Sequence, residues 1–94
     1  MVSNKIRANL ERYFSGDDIK VAQGIVEYFN HLRTIVAPSG FDGPTYDMVC
    51  SSLLEKGIQE SSFDTVFRVM ISNGIVNQKR HGHYKLVKLY LTRH

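Results

Sequence analysis

The apolar positions fall into stripes that predict a run of helices followed by a hairpin. Ile6, Leu10, Tyr13 and Phe14 recur at spacings of four, three and one, which predicts a first amphipathic helix capped by Ser3 and ended by Ser15-Gly16. Asp17 and Asp18 open a second helix, where carboxylates suit the positive end of the helix dipole. Its apolar face is Val21, Ala22, Ile25, Val26, Phe29 and Leu32. The β-branched run Thr34 to Ala37 then predicts a short strand. "PSGFDGP", Pro38 to Pro44, predicts a loop whose Phe41 packs back onto the core.

A third helix is predicted from Pro44 or Thr45, with Tyr46, Val49, Cys50, Leu53 and Leu54 as its buried stripe and Gly57 as its stop. Ser61 followed by Asp64 predicts a capping box for a fourth helix that buries Phe63, Val66, Phe67 and Met70. Gly74 closes that helix. "IVNQKR" and "HYKLVKLYL" alternate as β-prone runs around "HG", which predicts a hairpin. The fold class is therefore α+β, mostly helical.

At residues 62–76 the chain meets a known pattern. "SFDTVFRVMISNGIV" resembles the recognition helix and exit of winged helix-turn-helix domains, through Ser62, Phe63, Val66, Phe67, Met70, Gly74, Ile75 and Val76. The preceding "MVCSSLLEKG" resembles the first helix of that pair, and "NQKRHGHYKL" stands where a wing is expected. The resemblance spans residues 18 to 91 and is to the superfamily, not to one family. It implies a winged helix-turn-helix core over 17–94 with an extra N-terminal helix over 1–16, in one domain. It also implies a DNA-binding role, as a transcription regulator or a replication or packaging accessory factor. In such regulators the extra helix often dimerises, so a homodimer is one expectation; a plain cover for the open side of the core is the other.

Composition fits a small globule. The chain has 94 residues, 43% of them apolar, which suits one domain with a modest core. No run approaches the ~18 continuous apolar residues of a membrane span, and "MVSNKIRANLERYF" lacks the apolar stretch of a secretory signal. The single cysteine, Cys50, cannot form an internal disulfide and lies on an apolar helical face, so an intracellular, reducing location is expected, cytoplasm or nucleus.

Charge changes the picture more. The formal net charge is +3, but residues 77–94 hold Lys79, Arg80, Lys85, Lys88 and Arg93 with no acid. Such a one-signed stretch concentrates polyanions around it. The outward face of the fourth helix offers Glu60, Ser61, Asp64, Thr65, Arg68 and Ser72. Base edges are read mostly by Arg, Lys, Asn and Gln, so Arg68 is its best contact, with Ser61 and Thr65 weaker. The predicted nucleic-acid-binding residues are then Ser61, Thr65, Arg68, Gln78, Lys79, Arg80, His81, His83 and Lys85, with duplex DNA the expected partner. Protonation of the two histidines on acidification would add to phosphate attraction.

Other chemistry is less well served. His81-Gly82-His83 lacks further ligands for a closed zinc site, so neither metal nor cofactor is expected. No nucleophile–base motif or phosphate-cradling glycine loop marks an enzyme. The alternative function is a winged helix used as a protein–protein interaction module, with Glu60, Asp64 and the fourth helix as its contact surface.

Overall fold

The computed structural model describes residues 3–35 and 42–91. It contains four helices and a two-stranded antiparallel sheet, an α+β arrangement that is mostly helical. The helices are α1 (Asn4–Leu10), α2 (Asp17–Ile35), α3 (Tyr46–Glu55) and α4 (Glu60–Ser72). The hairpin is β1 (Val76–Arg80) and β2 (His83–Leu86), followed by a 3-10 turn at Lys88–Tyr90. No helix among the described residues is long and apolar enough to cross a membrane.

The core forms where the stripes converge. Phe63, Val66, Phe67 and Met70 of α4 meet Ile25 and Val26 of α2, Val49 and Leu53 of α3, and Val76 of β1, all fully buried. Fully burying each large side chain contributes roughly 1.5–3 kcal/mol. At Gly24 the second and third helices approach closely, with Leu53 Cδ1 2.8 Å from where a Cβ would sit. The contact is with the far end of a flexible leucine, so the glycine, costly inside a helix, eases this approach without being required by it.

The turn from helix into hairpin is fixed at Gly74. Its φ is +72°, a conformation that lets Ile75 N–H return to Met70 O at 2.8 Å and Gly74 N–H to Ile71 O at 3.2 Å. Ile75 and Met70 are both buried, completing the Schellman arrangement with its apolar contact. The chain leaves α4 already aimed into β1. Across the hairpin Val76 pairs with Leu86, Asn77 with Lys85 and Gln78 with Tyr84, and the register shifts between Gln78 and Arg80.

Several predicted boundaries move. The first helix stops at Leu10, and residues 11–13 are turn. Ile6, Leu10 and Phe14 are buried in this chain's own core, while Tyr13 stays 42% exposed. The apolar stripe of α1 is thus used as a cover within the monomer. Thr34 and Ile35 continue α2 instead of starting a strand. Extending an existing helix by one residue is far easier than nucleating new structure, and Thr34 Oγ1 donates to His31 O at 2.6 Å along the same helix. The rest of that predicted strand, Val36 and Ala37, and the predicted packing of Phe41 lie outside the described residues.

Leu54 is 44% exposed. At the helical period it falls beyond the arc spanned by Val49, Leu53, Tyr46 and Cys50. The capping box is also absent. The N-cap of α4 is Gln59, without a side-chain cap bond, and Ser61 sits inside the helix. Finally, β2 ends at Leu86, where the sequence predicted a strand to Leu91. Val87 N–H donates to Ile75 O at 2.9 Å, and upstream of Ile75 the opposing chain has turned away into α4. Residues beyond it fold back onto α2, where Asn30 Nδ2 donates to Tyr90 O at 3.1 Å.

Candidate nucleic-acid interface

Two surfaces carry the predicted residues, the outer face of α4 and the hairpin tip. Aromatic packing ties them together. Phe63 and Phe67 stack on α4 with centroids 5.2 Å apart, Tyr46 of α3 meets both edge-on, and Phe67 meets Tyr84 of β2 edge-on at 5.2 Å. Each such pair adds about 0.5–1.5 kcal/mol beyond its area burial. The hairpin is thereby held at a fixed angle to α4.

On α4 the side chains of Thr65 and Arg68 are engaged within the helix. Arg68 is 76% exposed at its side chain, yet its Nε donates to Asp64 Oδ2 at 2.8 Å. Tyr46 Oη donates to the other oxygen, Asp64 Oδ1, at 2.9 Å. The hydrogen bond from Arg68, then the one from Tyr46, holds the Asp64 carboxyl below the usual carboxylate range. The Asp64 carboxylate in turn raises the already high Arg68 value. Thr65 Oγ1 donates back to Ser61 O at 3.0 Å. Ser61 is exposed one turn earlier. Asp64 and Arg68 at i and i+4 were legible as a possible pair; the tyrosine eighteen positions upstream was not.

The hairpin tip is more open. Lys79, Arg80, His81 and Lys85 are exposed. No side-chain hydrogen bond or ion pair holds Lys79, His81 or Lys85 among the described residues. Arg80 is 72% exposed and lies 3.5 Å from Asp42 Oδ2. The tip is also internally braced. Gly82 N–H donates to Gln78 Oε1 at 2.9 Å across the turn. His83 is half-buried, with Nδ1 3.0 Å from the carbonyl oxygen of Gly43, which a protonated Nδ1 satisfies because a carbonyl can only accept. Gln78 and His83 therefore shape the tip, while Lys79, Arg80, His81 and Lys85 face outward from it.

The segment before α3 completes this brace, and sequence reasoning missed it. Tyr84 N–H donates to Pro44 O at 2.9 Å, so residues 42–44 lie along the outer edge of β2. Gly43 has φ +104°, and a Cβ there would run into the Tyr84 carbonyl. A glycine is required on both counts. The signal in the sequence was the paired glycines of "SGFDGP", which read simply as a loop.

Cys50 is buried, and burial pushes its thiol up, as the neighbouring Glu60, Asp47 and Asp64 carboxylates do. This is an inert environment for a thiol. Among the described residues no three His, Cys, Asp or Glu side chains come together as metal ligands. No protein-family profile, curated protein or solved structure matches this chain.

Proposed function

We propose that this protein is a small nucleic-acid-binding protein of winged-helix type, which grips duplex DNA chiefly through its hairpin. The observation that carries this reading is the outward group Lys79, Arg80, His81 and Lys85 on a hairpin that itself contains no acid. Their support is stiff, because the Gln78–Gly82 and His83–Gly43 contacts brace the turn. Cations on such a finger pair with phosphates, and an arginine can enter a narrow minor groove. The order of helix pair, glycine exit and hairpin supports the winged-helix resemblance, as does the segment 42–44 beside β2. A role in transcription regulation, or in replication or packaging, is consistent with a compact factor of this kind.

Arg68 acts second in this reading. Clasped by Asp64, it is not displayed as a free fork for a guanine, so binding is weakly sequence-selective. Two or three phosphate contacts from the hairpin give a salt slope of about −2 to −3 on B-DNA. Exchange of Lys79→Ala together with Arg80→Ala tests this in a shift assay with random duplexes at two salt concentrations. The expected result is weaker binding by a similar factor for every sequence, with the slope shallower by about two. Unchanged affinity and slope would overturn the reading.

The same Asp64–Arg68 pair favours a second reading, a protein-interaction module. Helix α4 carries Glu60 and Asp64, and α3 carries Asp47 and Glu55 together with exposed Met48 and Leu54. These acids suit a basic partner better than a phosphate backbone. Failure of the wild-type protein to shift any duplex at low salt would favour this second role.

A further inference from the structure

Beside the hairpin contacts lies a concave surface that the duplex reading does not explain. A groove of about 440 Å³ opens between the C-terminal part of α2, the segment before α3 and the hairpin. Phe29, Leu32 and Leu91 belong to its lining, the phenylalanine buried and the two leucines half-buried. Arg33, Lys79 and Lys85 also line it, and all three are exposed. The groove is thus apolar in its depth and cationic at its lip. Its acid, Asp42, is answered by Arg80.

We propose that this groove docks an acidic amphipathic segment of a partner protein, one or two aliphatic or aromatic side chains flanked by Asp and Glu. Charge complementarity selects the sign of the partner: Lys79 and Lys85, which no acid pairs with among the described residues, repel a basic peptide and attract an acidic one. The lining selects a peptide over a nucleotide. A base needs an open aromatic face to stack on, whereas Phe29 is buried and Tyr84 is engaged edge-on with Phe67. Alkyl groups at Leu32 and Leu91 suit an inserted apolar side chain instead. The outer edge of β2 already receives Pro44, so the segment binds by side-chain insertion, not by adding a strand. Lys79 and Lys85 also belong to the hairpin contacts, so the segment and duplex DNA compete; that clause alone rests on the duplex reading.

The test is fluorescence anisotropy of the full chain with a fluorescein-labelled peptide, a Leu-Phe-Leu centre flanked by aspartates. Saturable binding is expected, weakened about tenfold by Arg33→Glu and by Lys85→Glu. The lysine-flanked version of the peptide should not bind. Arg33 donates to Asn30 Oδ1 at 3.5 Å, so its variant is checked by thermal melting, and exposed Lys85 supplies a variant that does not disturb the core. Arg33→Glu is expected to keep duplex binding, which separates this groove from the hairpin tip. No saturable binding by the wild-type chain, or unchanged binding by both variants, overturns the proposal. So does tighter binding of a single-stranded oligonucleotide with the same Arg33 dependence, or a dimer in solution that Arg33→Glu dissociates while the peptide fails to bind.

Discussion

Arg68 reaches Asp64 Oδ2 at 2.8 Å on the outer face of α4, where a base-reading side chain would have to be free. The acid that neutralises it is itself held by Tyr46, so the helix is screened from a polyanion by its own structure.

Asp64→Asn keeps an acceptor for Tyr46 and removes the charge. Duplex affinity is expected to rise severalfold, with the salt slope steeper by about one as Arg68 reaches a phosphate. Affinity unchanged in a titration at fixed salt would mean that α4 does not face the duplex.

Tyr46 titrates abnormally. Burial first, then the hydrogen bond to Asp64 and the nearby Asp64, Cys50 and Glu60 charges, raise its phenol from 10.0 to about 12. A folded value above the unfolded one means its contribution is complete below about pH 10 and disappears as pH rises through about 12. Urea midpoints across that window should fall for the wild type and fall less for Tyr46→Phe. Tyr28 and Tyr90 are also raised, mainly by burial, so the variant flattens only part of the decline. Identical curves would show that Tyr46 is not among the tyrosines responsible.

The two crowded glycines should behave differently. Gly43→Ala meets both a positive φ and the rigid Tyr84 carbonyl, and should lose about 2 kcal/mol or more of stability. At Gly24 the obstacle is the far end of Leu53, which can rotate, and alanine gains about 1 kcal/mol of helix propensity. Thermal melts should therefore rank Gly43→Ala well below Gly24→Ala. The Gly43 variant should also lose hydrogen-exchange protection at the Tyr84 amide.

Asn30 is the one buried polar residue among those described. Its Nδ2 donates to Val26 O at 3.0 Å and Tyr90 O at 3.1 Å. Asn30→Leu leaves the Tyr90 carbonyl without that donor and should cost about 1–3 kcal/mol in a urea titration. The amides of Tyr90 and Leu91 should exchange faster in the same variant.

Much of this architecture was written locally. The stripes of α2, α3 and α4, the stop at Gly74 and the hairpin around His81-Gly82 follow from short-range periodicity and turn chemistry, which depend on neighbours within one or two turns. The basic tip was equally legible, because Lys79, Arg80 and Lys85 are close in sequence and no acid lies between them. What sequence could not decide were contacts between distant positions. Thr34 and Ile35 look like strand and are helix, because the preceding seventeen residues of α2 were already wound. Asp64 resembles a cap and instead holds Arg68 and Tyr46, because α3 brings a phenol to its side. Segment 42–44 reads as a loop and braces the hairpin, because the fold lays it along β2. The groove exists only where α2, that segment and β2 meet. Local rules determined which elements form and where the positive charge sits; tertiary packing alone decided which of those charges remain free to bind.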